Sequence, residues 1–223
     1  MSKTKQKPSV EPVLSPTTGE SVEVTGARDK LGVWMIIVSC TTGTIALLVS
    51  YAYLWSLNVN NAWAPTSGSA NWAPVWPFWS IFTVMFIATL LMWNGYRGLC
   101  GGNVGAMKTS ALVATLLLIG AFIAQIFQIA TFPFGPADGA YASATLWLAI
   151  ANAIWLFMAV FLASAIFNRT RAGRVTPANP NHARLVSMFL VYLCVAAFLG
   201  SVFTTVMQES PNTNSPSFGT FSQ

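Results

Sequence analysis

Five apolar runs dominate this sequence: Leu31–Leu57, Trp76–Tyr96, Thr109–Thr131, Ala140–Phe167 and Leu185–Met207. None contains Asp, Glu, Lys, Arg or His. Each exceeds the about 20 residues that a helix needs to cross a bilayer core of about 30 Å. In hydrocarbon every backbone N–H and C=O must find its partner within the segment, so the runs are expected to be helices. A transmembrane barrel would alternate apolar and polar residues over about 10 positions, and these runs do not. Asn58, Asn60 and Asn61 follow the first run, Gly98, Gly101 and Gly102 the second, and Pro133, Gly135 and Pro136 the third; Pro177 and Pro180 separate the last two. The expected fold is all-α, a polytopic membrane protein with five transmembrane helices over residues 31–207. Residues 1–30 are polar, with no apolar core ahead of a small-x-small cleavage site. They read as a flexible cytoplasmic tail and not as a signal peptide. Residues 208–223 read as an external C-terminal tail.

Charge excludes the other classes. Only 8% of residues are charged and 54% are hydrophobic, whereas an ordinary soluble domain carries about 25% charged residues. Such a chain cannot cover a water-facing surface, and it is too apolar for disorder over most of its length. The net charge of +5 is not a nucleic-acid footprint, because no basic stripe with interleaved aromatics exists. The 11 basic residues are Lys3, Lys5, Lys7, Arg28 and Lys30 before the first run, Arg97 and Lys108 between the second and third, and Arg169, Arg171, Arg174 and Arg184 between the fourth and fifth. The alternate connections have none. Under the positive-inside rule the N-terminus is cytoplasmic and the C-terminus external. Trp55, Trp63, Trp72, Trp76 and Trp79 gather around the first outer loop, as anchors and packing residues rather than a ligand cage.

Ionisable groups within a span are the usual mark of a pump, voltage sensor or ion-coupled transporter, and the runs have none. Without His or carboxylate clusters, no catalytic, cofactor-binding or metal-binding residue is assigned. Cys40, Cys100 and Cys194 are too scattered for a disulfide framework or a metal site. His182 lies in a polar segment, where it faces water or caps the fifth helix. The uncharged polar residues Ser39, Thr42, Gln125, Gln128 and Asn152 are the candidate interhelical contacts. Gln125 and Gln128 share a face, and Ala149–Ala153 and Ala159–Ala163 carry small residues that let helices approach. By depth Gln125 and Asn152 need not pair, being roughly 9 Å and 18 Å from the outer ends of their spans.

Three segments carry a resemblance: Asp29-Lys30-Leu31-Gly32-Val33-Trp34-Met35-Ile36-Ile37-Val38-Ser39, then Ala140-Tyr141-Ala142-Ser143-Ala144, then Arg169-Thr170-Arg171-Ala172-Gly173-Arg174-Val175-Thr176-Pro177 followed by Asn181-His182-Ala183. In order and spacing, over residues 28–207, they resemble the five-helix subunit III of bacterial haem-copper oxidases that use cytochrome c or quinol. The sequence departs from that pattern where Cys40 stands for an acidic residue, Gln125 and Gln128 for acidic residues, and Asn152-Ala153-Ile154-Trp155 for His-Gly-x-His. The stretch 190–194 also lacks the family's His and Asp, so the chain resembles a divergent member. The resemblance implies a non-catalytic accessory subunit of an oxidoreductase complex of the respiratory chain, in the bacterial cytoplasmic membrane. It implies packing against a catalytic oxidase subunit and other membrane subunits, with haem and copper held by a partner and phospholipids bound in a cleft. A scaffold subunit of another redox or photosynthetic assembly, or a small independent transporter, are the alternative readings. No nucleic-acid partner is expected.

Overall fold

A computed structural model describes residues 19, 21–58, 62–65 and 72–210. Lys3, Lys5, Lys7, Asn60, Asn61 and residues 211–223 lie outside the described residues. Among the described residues there are five helices and no strand, apart from one isolated bridge between Thr176 and Asn179. They are α1 (Val22–Leu57), α2 (Val75–Cys100), α3 (Val104–Ala130), α4 (Ala140–Arg171) and α5 (Asn181–Val206). All five are long and apolar enough to cross a membrane, which makes this a multi-pass membrane protein by length and composition.

The two ends of the bundle differ. At one end lie the start of α1, the α2–α3 turn and the α4–α5 connection, with all the described basic residues. There every helix runs a turn or more past its apolar run. At the other end, rich in Trp and Tyr, each helix stops within a residue of its run. Long basic side chains keep their heads in water while their stems lie along the helix, so helices can continue beyond the hydrocarbon at the basic end. Pro74, Gly139 and the left-handed Asn58 (φ +34°) stop them at the aromatic end.

The start of α1 corrects the expected tail of residues 1–30. The helix begins at Val22, with the Ser21 hydroxyl accepting from the Val24 N–H at 3.4 Å. A serine cap and Glu23 in the first turn suit a helix N-terminus. Tertiary contact also holds these polar turns. Gly26 lies against the Asn181 side chain at the head of α5, and Asp29 lies 4.0 Å from His182.

Helices α2, α3, α4 and α5 pack in that cyclic order, and α1 lies on α4 and α5. The buried positions repeat at spacings of three and four. On α3 Met107, Ala111, Ala114, Leu118, Ala121, Gln125 and Gln128 form the series, with Thr115 buried beside it. On α5, Ala183, Ser187, Leu190, Cys194, Ala197, Ser201 and Thr204 follow the same rhythm. A 3.5-residue average repeat is the seam of left-handed, coiled-coil-like packing. Small residues occupy much of it because lipid is as apolar as any side chain, so association depends on close contact. At Gly95 a Cβ would fall 2.7 Å from the Ser110 Cβ, so α2 and α3 touch there only because one residue has no side chain.

Gly139 sets the start of α4. Its φ is +134°, and a Cβ there would sit 2.8 Å from the Ala64 carbonyl oxygen. Gly139→Ala is expected to destabilise the fold by about 1–3 kcal/mol. Gly120→Ala, whose added methyl meets nothing within 4 Å, should be neutral or stabilising by up to about 1 kcal/mol. Thermal unfolding of both variants in detergent checks this, and equal midpoints would refute the assigned role of Gly139.

Candidate functional site

At the aromatic end, the described residues of the first loop (58, 62–65 and 72–74) build a lid. Asn58 turns the chain after α1, and its Oδ1 accepts from the Trp63 N–H at 3.1 Å. The carbonyls of Ala62 and Trp63 then accept from the N–H groups of Ala140 and Tyr141 at 3.0 and 3.1 Å. Helix α4 has no side-chain cap, so these loop carbonyls serve two of its otherwise unpaired donors. Trp63 is 1% exposed and meets Tyr51 and Tyr141 edge-on at 5.1 and 5.6 Å. Its indole N–H donates to the Gln208 carbonyl at 2.6 Å, as a buried Trp requires. Trp55 donates to the Glu209 carbonyl at 2.8 Å, and Ser210 donates to the Trp55 carbonyl at 2.8 Å. Residues 208–210, expected as part of an external tail, are thus pinned into the lid. Trp76, 72% exposed, is placed as an anchor would be; Trp63 is a packing residue.

Beneath the lid runs a chain of amides. Asn152 on α4 donates to Gln125 Oε1 on α3 at 2.6 Å, and Gln125 Nε2 donates to Gln128 Oε1 at 3.1 Å. Gln125 and Gln128 are 1% and 4% exposed. The pairing of Gln125 with Asn152 differs from what depth alone suggested. Side chains lean toward the N-terminus of their own helix. On the antiparallel pair α3 and α4, Gln125 therefore leans deeper and Asn152 leans outward, and the two meet. Each end of the chain has a buried atom with no protein partner, Gln128 Nε2 and Asn152 Oδ1.

Two candidate contacts fall elsewhere. Ser39 and Thr42 are exposed, and the Thr42 hydroxyl donates to the Val38 carbonyl of its own helix at 3.1 Å. Neither joins α1 to a neighbour. Helix α1 meets the bundle along a stripe through Val33, Ile37, Thr41, Thr44, Leu48 and Tyr51, and Ser39 and Thr42 lie off it. Two residues of the stripe reach across with a hydroxyl: Thr44, 3.4 Å from the Tyr192 hydroxyl of α5, and Tyr51, which donates to the Met207 carbonyl at 3.4 Å. A three-four spacing through Thr44 and Tyr51 was the available signal, but the apolar character of α1 on every side hid it.

Two spaces adjoin α1. A cavity of about 30 Å³ is walled by residues of all five helices, among them Thr44, Phe78, Gln125, Asn152 and Ser201. Nearer the basic end, an entirely apolar groove of about 270 Å³ runs between α1, α4 and α5, lined by Val33, Phe157, Phe161, Leu185 and Phe189. Among the described residues, no group of three or more His, Cys, Asp and Glu could hold a metal ion. Cys40, Cys100 and Cys194 are unbonded thiols. At neutral pH an amide chain neither takes up nor releases a proton, but it fixes helices and orients small polar molecules. No protein-family model matches the sequence, and no curated protein matches it.

A double-mutant cycle on Gln125→Leu and Asn152→Leu is expected to give a coupling of about 0.5–1.7 kcal/mol, the range for hydrogen bonds between membrane helices. Strictly additive unfolding free energies in detergent would show that the two side chains do not interact.

Proposed function

We propose that this chain is a non-catalytic accessory subunit, similar to subunit III, of a bacterial membrane terminal oxidase of aerobic respiration. It stabilises the catalytic subunit and binds phospholipid; haem and copper belong to the partner. The observation that carries the reading is the order of the three resembling segments. The first spans the start of the apolar part of α1, the second opens α4, and the third forms the basic connection into α5. The lack of charge in the apolar runs suits a supporting subunit. So does α1, whose long apolar surface is mostly uncovered: Leu48 and Tyr51 are its buried hydrophobic residues among those described.

The apolar groove supports the lipid part of the reading. Its walls suit an acyl chain, and it lies toward the end that carries Lys30 and Arg184. Basic residues at a membrane surface favour anionic headgroups by about 1 kcal/mol each. The missing acidic and His residues favour a second reading, a scaffold subunit of another membrane redox or photosynthetic assembly.

Purification from native membranes in mild detergent separates the readings. The chain should come with a partner showing haem a, b or o absorption bands. Another cofactor spectrum would favour the second reading, and a chain that purifies with no haem-containing partner would falsify the first.

In this reading the basic end faces the cytoplasm and the aromatic end faces outward. In a variant with the native cysteines replaced by alanine, Glu209→Cys should react with a membrane-impermeant maleimide on intact cells. A cysteine at Arg174 should react only after the membrane is opened. The opposite pattern would reverse the orientation.

A further inference from the structure

At the small cavity all five helices present side chains to a common space. Most of its wall is apolar, but five polar side chains line it: the Gln125 and Asn152 amides and the Thr44, Ser201 and Thr204 hydroxyls. Each of these hydroxyls donates along its own helix, to Cys40 at 2.9 Å, Ala197 at 2.9 Å and Gly200 at 2.8 Å. Their protons are therefore committed, while their oxygens can still accept. Gln125 Nε2 gives one N–H to Gln128 and has a second to offer. Asn152 Oδ1 is a buried acceptor with no protein donor. A molecule that both donates and accepts is needed to complete the set.

We propose that this cavity binds water, one or two ordered molecules that bridge Asn152 to the hydroxyls around it. Volume makes the choice. A water needs at least about 10–15 Å³, and it needs two to four polar partners. About 30 Å³ is room for one or two such molecules. Cavities that stay dry are walled by apolar groups alone, and this one is not. A bridging water is nearly as favourable as a direct hydrogen bond. It would link Thr44 on α1 to Asn152 on α4, adding a polar tie to a helix with few buried residues. Gln128 does not line the cavity, and its free N–H plays no part.

Magnetisation transfer from water to side-chain amides tests the proposal, on the full chain labelled with ¹⁵N-asparagine in lipid bilayers. The Asn152 signal is identified by its loss in Asn152→Leu. Wild type should show rapid transfer from water to this amide. Gly200→Val should abolish it, because Gly200 lines the cavity and a Cβ there meets nothing within 4 Å. If that variant fails to assemble, Gly200→Ala should reduce the transfer. A wild-type Asn152 amide without transfer would mean a dry cavity and overturn the proposal. So would transfer undiminished in the assembled Gly200 variant, because the water would then lie elsewhere.

Discussion

Hydrocarbon surrounds these helices with a solvent as apolar as their own side chains, and the rest of the structure follows from that. No hydrophobic force pulls the helices together in lipid. What holds them is close packing and the cost of a polar group without a partner. The first accounts for the three-four rhythm with its Ala, Ser and Thr along α3 and α5 and for the near contact at Gly95. The second accounts for the hydroxyls that donate back to their own helices and for the amides that pair between α3 and α4.

The same constraint divides the molecule into layers. The basic end carries the described Lys and Arg residues and extends its helices beyond their apolar runs. The middle is neutral and tightly spaced, and its amides meet around Asn152. The aromatic end closes with a lid whose backbone groups are paired between segments far apart in sequence. Helix α1 belongs least to the bundle. It rests in the groove of α4 and α5 and leaves most of its surface to the surroundings, which suits a chain that works beside another protein.

The spans and their ends on the aromatic side were legible in the sequence because partition into a bilayer is a local property of about 20 residues. Features that depend on distant partners were not. The polar first turns of α1 look like a tail until Asn181 and His182 are brought against Gly26 and Asp29. Ser39 and Thr42 could not be told from Thr44, because a helix that is apolar all round has no stripe to show which side faces the bundle. The shared face of Gln125 and Gln128 was readable from their spacing. Their link to Asn152 was not, since depth along the axis ignores the lean of the side chains. Nor did composition show that Trp63 would be buried, because its indole partner lies 145 residues away.

The lid has a consequence for how the chain is made. Trp63 and Trp55 leave the ribosome early, yet they donate to carbonyls of residues 208 and 209, beyond the last helix. The loop carbonyls that cap α4 likewise wait for residues 140 and 141. Through most of synthesis the first loop has no structure to join. The lid can form only when the fifth helix and residues 208–210 are in place. A chain cut before residue 208 would leave the Trp63 indole without its acceptor and exposed.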